Sequence, residues 1–312
     1  MPVDAIASGQ SSRFLRRPCR LAIALAGVAA LTGCAPSILS PAGPVGAGEK
    51  IILLNAVAIM LAIVVPTILA TLAFAWWFRA GNARAQRRPD FVYSGRIELI
   101  TWSIPVMVIM FLGGIAWIGS HDLDPAAELN SRAKPLDIQA VSLDWKWLFI
   151  YPEQGIASVN QLTVPVGVPL HFSLTSASVL NTFFVPQLGS MIYTMNGMSD
   201  RLNLQADKPG DYYGRSAHFS GDGFSDMQFD LRAVPADRFD AWVEGVRGAG
   251  PVLDQASYAG LQQQSTDVPP FTYRSAEPGL YDMIVSQKIA PASGPQSGAP
   301  DVSPRTEVTH AR

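Results

Sequence analysis

Residues 51–78 read IILLNAVAIMLAIVVPTILATLAFAWWF, and residues 99–120 read LITWSIPVMVIMFLGGIAWIGS. Neither run contains a charge: Lys50 and Arg79 bracket the first, Glu98 and His121 the second. Each exceeds the ~20 residues a helix needs to cross a hydrocarbon core of about 30 Å. Trp76, Trp77, Trp102 and Trp117 lie near the run ends, where amphipathic rings favour the headgroup region. The two runs predict a transmembrane hairpin rather than two buried helices of a soluble protein. Pro66 and Pro105 are expected to kink or loosen their helices, which neighbouring protein tolerates better than lipid does.

Outward from the hairpin, charge sets orientation. The connecting loop 79–96 carries Arg79, Arg84, Arg87, Arg88 and Arg96 against Asp90 alone. Basic loops close to span ends resist translocation, so this one should remain cytoplasmic. Both mature ends then face the outside of the membrane. The N-terminus agrees: Arg13, Arg16, Arg17 and Arg20 precede the short apolar run Leu21–Leu31, which ends in Leu31-Thr32-Gly33-Cys34. Residues 1–33 therefore read as a signal peptide. The last four residues resemble the bacterial lipobox, which implies cleavage before Cys34 and acylation of that cysteine. A signal anchor with a chance Gly-Cys is the plainer alternative. Residues 34–50, rich in Pro, Gly, Ala and Ser, read as a flexible lipidated tether. The chain has 2 cysteines, Cys19 and Cys34, so the mature protein would lack any intramolecular disulfide.

Charged residues make up 15% of the 312-residue chain and hydrophobic ones 48%, a balance that leans toward a membrane protein. The formal charge of −2 conceals an asymmetry, because the part from His121 onward holds 13 basic and 21 acidic residues, a net of −8. Nothing in this distribution is the basic footprint of a nucleic-acid binder.

After His121 the pattern changes to short alternating runs. Leu170, Phe172 and Leu174 interleave with His171 and Ser173; Leu202, Leu204 and Ala206 follow; Met227, Phe229 and Leu231 interleave with Gln228, Asp230 and Arg232. Turn signals recur at 152–155, 165–169, 208–211 and 221–223. One apolar and one wet face predict a sandwich of antiparallel strands within the exported domain, 121–235. Trp145, Trp147, Phe149 and Tyr151 share one face by period 2, as sandwich core or subunit contact. Residues 235–245 suit a helix with Phe239, Trp242 and Val243 on one side, and a second is expected over 257–264. These open a helical and aromatic extension, 236–288. Beyond it the tail 289–312 is expected to be disordered.

Two spans followed by an exported β-sandwich resemble subunit II of the haem-copper oxidases. Several stretches carry the likeness: Arg96-Ile97-Glu98 with Trp102 and Pro105; Asp144-Trp145-Lys146-Trp147 with Tyr151-Pro152-Glu153-Gln154-Gly155; Val179-Leu180-Asn181-Thr182-Phe183-Phe184-Val185-Pro186; and Tyr213-Gly214-Arg215-Ser216. The resemblance implies a cupredoxin-like sandwich after a two-helix hairpin, a membrane-α plus all-β architecture. In copper-bearing members a binuclear copper centre would occupy the last two stretches. Here its ligand positions are Asn181, Ser216, His218, Ser220, Phe224 and Met227, with only the methionine retained. Hydroxyls are hard donors and poor substitutes for the thiolates that copper favours. The resemblance therefore points to the quinol-oxidising branch, of cytochrome bo type.

That membership implies a second subunit without its own cofactor or metal. Subunit I would be its main partner and would hold the haems, the copper and the site where ubiquinol reacts; subunits III and IV and the phospholipid membrane complete the surroundings. The location implied is the bacterial inner membrane, as a multi-pass lipoprotein. Glu98, at the cytoplasmic end of the second span, would stand at the mouth of subunit I's proton-uptake path; an interfacial pair with Arg96 is the plainer reading. Ser216 and His218 superficially suggest a nucleophile and its base, but no strand-turn-helix elbow surrounds the serine. His171 should face water, and Met191, Met195 and Met198 should fill packing gaps. The remaining alternatives are a cytochrome c oxidase subunit with atypical copper and a lipoprotein assembly factor or adaptor.

Overall fold

The computed structural model describes residues 38–86 and 89–298. Helix α1 runs from Pro44 to Trp77 and helix α2 from Gly95 to Asp122, each continuous through its internal proline, Pro66 and Pro105. Both are long and apolar enough to cross a membrane, and the apolar window of each is unburied within the chain. Pairing of α1 with α2 includes Gly119, which lies against the Ile52 side chain.

Helix α1 starts earlier than the sequence suggests. Residues from Ala42 onward are docked rather than free: Ala42 N–H donates to Gln187 O at 2.8 Å, Gly46 N–H to Leu188 O at 2.9 Å, and Asp207 N–H to Ala42 O at 2.8 Å. Pro44 occupies the first helical turn, where its missing N–H costs nothing and its φ is already helical. The flexible tether expected for 34–50 is thus corrected over its second half. Cys34 and the expected signal peptide, 1–33, lie outside the described residues.

The exported part follows as strands β1 (Leu136–Leu143), β2 (Lys146–Tyr151), β3 (Ile156–Val159), β4 (Gln161–Pro165), β5 (Pro169–Ser176), β6 (Asn181–Phe184), β7 (Met191–Thr194), β8 (Asp200–Gln205), β9 (Gly210–Ser216) and β10 (Gln228–Val234). Helix α3 (Ala236–Arg247), β11 (Val252–Leu253), helix α4 (Gln255–Leu261), β12 (Phe271–Tyr273), β13 (Ser275–Ala276) and helix α5 (Leu280–Val285) complete the order. One sheet has the order β12-β3-β2-β1-β5-β8, the other β4-β10-β9-β6-β7, and β11 pairs with β13. The sandwich is not wholly antiparallel: β1 pairs with β5 and β4 with β10 in parallel. Alternation of side chains is the same in either direction, so periodicity could not distinguish them.

The core between the sheets is aromatic. Trp147, Phe149 and Tyr151 of β2 are fully buried, which settles the shared face as core. Phe183 stacks on Phe229 with centroids 5.1 Å apart, Phe149 meets Phe229 edge-on at 5.1 Å, and Trp147 meets Phe183 edge-on at 5.5 Å. Such pairs each add about 0.5–1.5 kcal/mol beyond the area they bury. Strand β10, and β5 over 170–174, alternate buried and wetter positions as expected, and His171 lies on the wetter side. Strands β2 and β3 do not alternate; every residue is buried.

The reason is a third layer. Val141, Leu143, Leu148, Ile150, Ala157 and Val159 face a second core made with Tyr258, Leu261, Tyr273, Leu280, Tyr281 and Ile284 of the extension. The extension is therefore part of the domain, and β12 forms the edge of the larger sheet. Helix α5 was not foreseen. The tail is corrected too over its described part: Ala292 N–H donates to Ala177 O at 2.9 Å, and Gln296 N–H to Gln264 Oε1 at 2.8 Å. Its later residues lie outside the described part.

Candidate functional site

The sequence singled out two places, and the fold keeps them apart: one at the cytoplasmic end of α2, the other at an end of the sandwich. Glu98 sits in the first turn of α2, solvent-exposed, with its N–H donating to Ser94 O at 3.0 Å. A carboxylate there is favoured by the positive end of the helix dipole. The interfacial pair with Arg96 is not formed, and among the described residues no ion pair engages Glu98.

At the sandwich end, Asn181 opens β6, Ser216 closes β9, and the loop to β10 carries His218, Ser220 and a short 3-10 turn over Phe224–Asp226 before Met227. The strands bring Asn181 and Ser216 together: Ser216 Oγ donates to Asn181 Oδ1 at 3.3 Å, and Thr182 N–H donates to Ser216 Oγ at 3.4 Å. Ser216 N–H donates to Met227 O at 3.1 Å. The Met227 side chain is 1% exposed and belongs to the aromatic core. His218 is exposed, with its ring edge-on to Tyr193 at 6.0 Å. Phe224 packs against Phe219 at 5.6 Å.

Of these positions the fold brings Asn181 and Ser216 into direct contact, and the chemistry of the set does not fit copper. The side chains at Asn181, Ser216, Ser220 and Phe224 offer a carboxamide, two hydroxyls and a benzyl ring where thiolates and imidazoles are needed. Among the described residues no group of three or more His, Cys, Asp or Glu side chains could hold a metal ion. The serine–histidine reading also fails on geometry, since the atom of His218 that Ser216 Oγ approaches, at 3.4 Å, is the backbone carbonyl and not the ring. The methionine reading is corrected: Met191 and Met198 are 49% and 50% exposed and fill no gap. Strand β7, which carries Met191, is the sheet edge, where alternation cannot tell solvent from core.

Sequence reasoning missed the residues that organise this loop. Trp145 adopts φ 65° and turns its ring into the core, where its Nε1–H donates to Ser220 O at 3.0 Å. Among the described residues Ser220 Oγ is itself buried without a hydrogen-bond partner. Asp144 is 3% exposed, and burial raises its pKa above the usual carboxylate value against the opposing pull of Ser178 and Lys146. Two adjacent buried charged residues, Asp144 and Lys146, were the available signal.

The periplasmic domain model of cytochrome c oxidase subunit II matches residues 153–234, and that of the aromatic-rich motif of these oxidases matches 247–291. The chain is 46% identical over 278 residues to a ubiquinol oxidase subunit 2 of Acetobacter aceti, covering 88% of this chain and 90% of the relative. It is 45% identical over 265 residues to a cytochrome bo(3) ubiquinol oxidase subunit 2 of Pseudomonas aeruginosa, covering 85% and 80%. Among solved structures, the periplasmic domain of cytochrome oxidase subunit II of Bradyrhizobium japonicum is 27% identical over 38% of this chain and 96% of its own, with a TM-score of 0.35. With such identity over most of both chains, this protein belongs to the ubiquinol oxidase branch of the cytochrome c oxidase subunit II family.

Proposed function

We propose that this chain is the second subunit of a proton-pumping ubiquinol oxidase and braces subunit I without a redox centre of its own. The observation that carries this is the pair Asn181 and Ser216, brought together at the sandwich end as a carboxamide and a hydroxyl, donors unfit for copper. Without a one-electron entry site here, the electron donor is a lipid-soluble two-electron carrier, ubiquinol, that reaches subunit I from the membrane. Subunit I then holds the haems and the copper where dioxygen is reduced to water. Subunits III and IV are further neighbours, and acylation of Cys34 anchors the N-terminus to the outer face of the bacterial inner membrane.

Glu98 is assigned to proton entry. A carboxylate at the cytoplasmic end of a span, in no ion pair among the described residues, can pass protons from water to a path in the adjoining subunit. Glu98→Gln keeps the size and removes the titratable group. The expected result is an assembled oxidase with slowed ubiquinol-driven oxygen uptake and proton release; normal turnover and pumping would remove the role. The donor is tested by purifying the tagged chain gently, recording a haem spectrum, and comparing oxygen uptake with ubiquinol and with reduced cytochrome c. Purple-copper absorption or uptake driven by cytochrome c would overturn the reading, and absence of haem from an intact preparation would favour an assembly factor.

A further inference from the structure

Lys146 opens β2 and is fully buried, a position lysine almost never takes without partners. Its Nζ is 2.7 Å from Gln263 O, 2.7 Å from Ser265 Oγ and 3.2 Å from Asp144 O. An ammonium has three donors, and these three acceptors lie within hydrogen-bond reach. Two of these belong to the extension, in the stretch Leu261-Gln262-Gln263-Gln264-Ser265-Thr266-Asp267-Val268. Leu261 and Val268 at its ends are buried, but nothing between them is apolar. Hydrophobic docking cannot hold such a segment, so whatever fastens its middle must be polar.

The fastened segment lies against the loop between β9 and β10. A Cβ placed on Gly223 would come within 2.4 Å of the Trp145 ring and 2.5 Å of Thr266 Cγ2. A Cβ on Gly221 would lie 3.3 Å from the Trp145 ring and 3.4 Å from Pro295. Pro295 is in the chain's second pass over this region, and that pass is tied to the first: Gln264 Nε2 donates to Gln296 O at 3.3 Å and Gln262 Nε2 to Ala290 O at 3.0 Å. Trp145 completes the closure through its bond to Ser220 O. The loop that carries Ser216, His218, Ser220 and Met227 is thus clamped between an indole and a polar strap.

We propose that Lys146 is a buried latch that fastens the 262–266 strap to the sandwich and, through Thr266 and Trp145, locks the Ser220–Gly223 turn. The direction of dependence is defined. Lys146 holds the strap, and the strap and Trp145 together hold the turn. Releasing Lys146 frees both segments; releasing the indole bond frees the turn alone. Lys146 is a positioning residue in this scheme and touches no reacting atom.

Amide hydrogen exchange on the full chain, purified from membranes in its native complex, tests the order of dependence. In Lys146→Met, exchange across 262–268 and 219–226 should rise at least tenfold while β1 and β5 stay protected. Trp145→Phe should raise exchange in 219–226 and leave 262–266 as protected as the parent. Ser265→Ala removes one of the three acceptors and should reproduce the Lys146→Met pattern at smaller amplitude; it decides the matter should Lys146→Met fail to accumulate. Parent-like exchange in both segments of Lys146→Met or of Ser265→Ala overturns the latch. Opening of 262–268 alone in those variants, or of both segments in Trp145→Phe, overturns the lock.

Discussion

Gly214→Ala should destabilise the exported domain, against the usual sign for that change in a strand. Gly214 of β9 pairs directly with Phe229 of β10. By backbone entropy alone, replacing a strand glycine with alanine should stabilise by about 0.5–1 kcal/mol. A Cβ at this position, however, would sit 2.2 Å from both Cε2 and Cζ of Phe229. Carbon atoms settle at about 3.5–4.0 Å, so the ring must retreat by more than ~1 Å. It has no room to do so, being 2% exposed and flanked by Phe183 at 5.1 Å, Phe149 at 5.1 Å and Trp147 at 5.7 Å. Overpacking of this kind costs about 1–3 kcal/mol, and disturbing two aromatic pairs adds about 1–3 kcal/mol more. After the propensity gain is subtracted, a net loss of about 1–5 kcal/mol is expected. Guanidinium unfolding of the detergent-purified full chain, followed by tryptophan fluorescence, measures it. Phe229→Leu should cost less in the Gly214→Ala background than alone, with a coupling of at least ~1 kcal/mol. A Gly214→Ala protein as stable as its parent would refute the packing argument.

The domain should weaken in alkali. Burial pushes the Tyr281 phenol up to about 12 despite its hydrogen bond with Ser199, and burial raises Tyr151, Tyr258 and Tyr273 in the same direction. A raised folded value means the neutral phenol's stabilisation is whole below the unfolded value near 10 and disappears as pH climbs to about 12, at about 3 kcal/mol for Tyr281. Melting curves taken from about pH 9 to about pH 12 should fall, and Tyr281→Phe should flatten that fall; a level Tm would contradict it. Glu49→Ala should loosen the seat of α1, because Glu49 Oε1 accepts from Ser190 N–H at 2.7 Å and from its hydroxyl at 3.3 Å. Hydrogen bonds to charged groups contribute about 1.5–3 kcal/mol, so exchange at Ser190 should rise about tenfold or more, and parent-like exchange would deny the contact.

The membrane hairpin was legible because hydrocarbon imposes a long, uncharged run that few soluble elements imitate. The branch was legible because Ser216, Ser220 and Asn181 occupy places where donor softness decides the matter. Strand existence was visible from alternation in β5 and β10 and from the shared aromatic face of β2, but the burial of Lys146-Trp147-Leu148-Phe149-Ile150-Tyr151 on both sides was not. That two-sided burial depends on a covering layer more than a hundred residues later, which no local window contains. The docked segment at Ala42–Gly46 was hidden by its composition. Small residues suit a flexible tether and equally permit close approach of two backbones, and only the tertiary fold separates the two. Likewise the seat of Lys146 is made by Gln263 and Ser265, distant in sequence and unremarkable by type.

The seat of the first span has a mechanical consequence. A Cβ on Gly43 would lie 2.0 Å from Gln205 O, and one on Gly189 would lie 2.7 Å from Gly46 N, so main chain meets main chain with no cushioning side chain between. A joint of that kind transmits torque. Spanning helices lean to match bilayers of different thickness, and a lean in α1 would swing the whole exported domain as a rudder follows its stock.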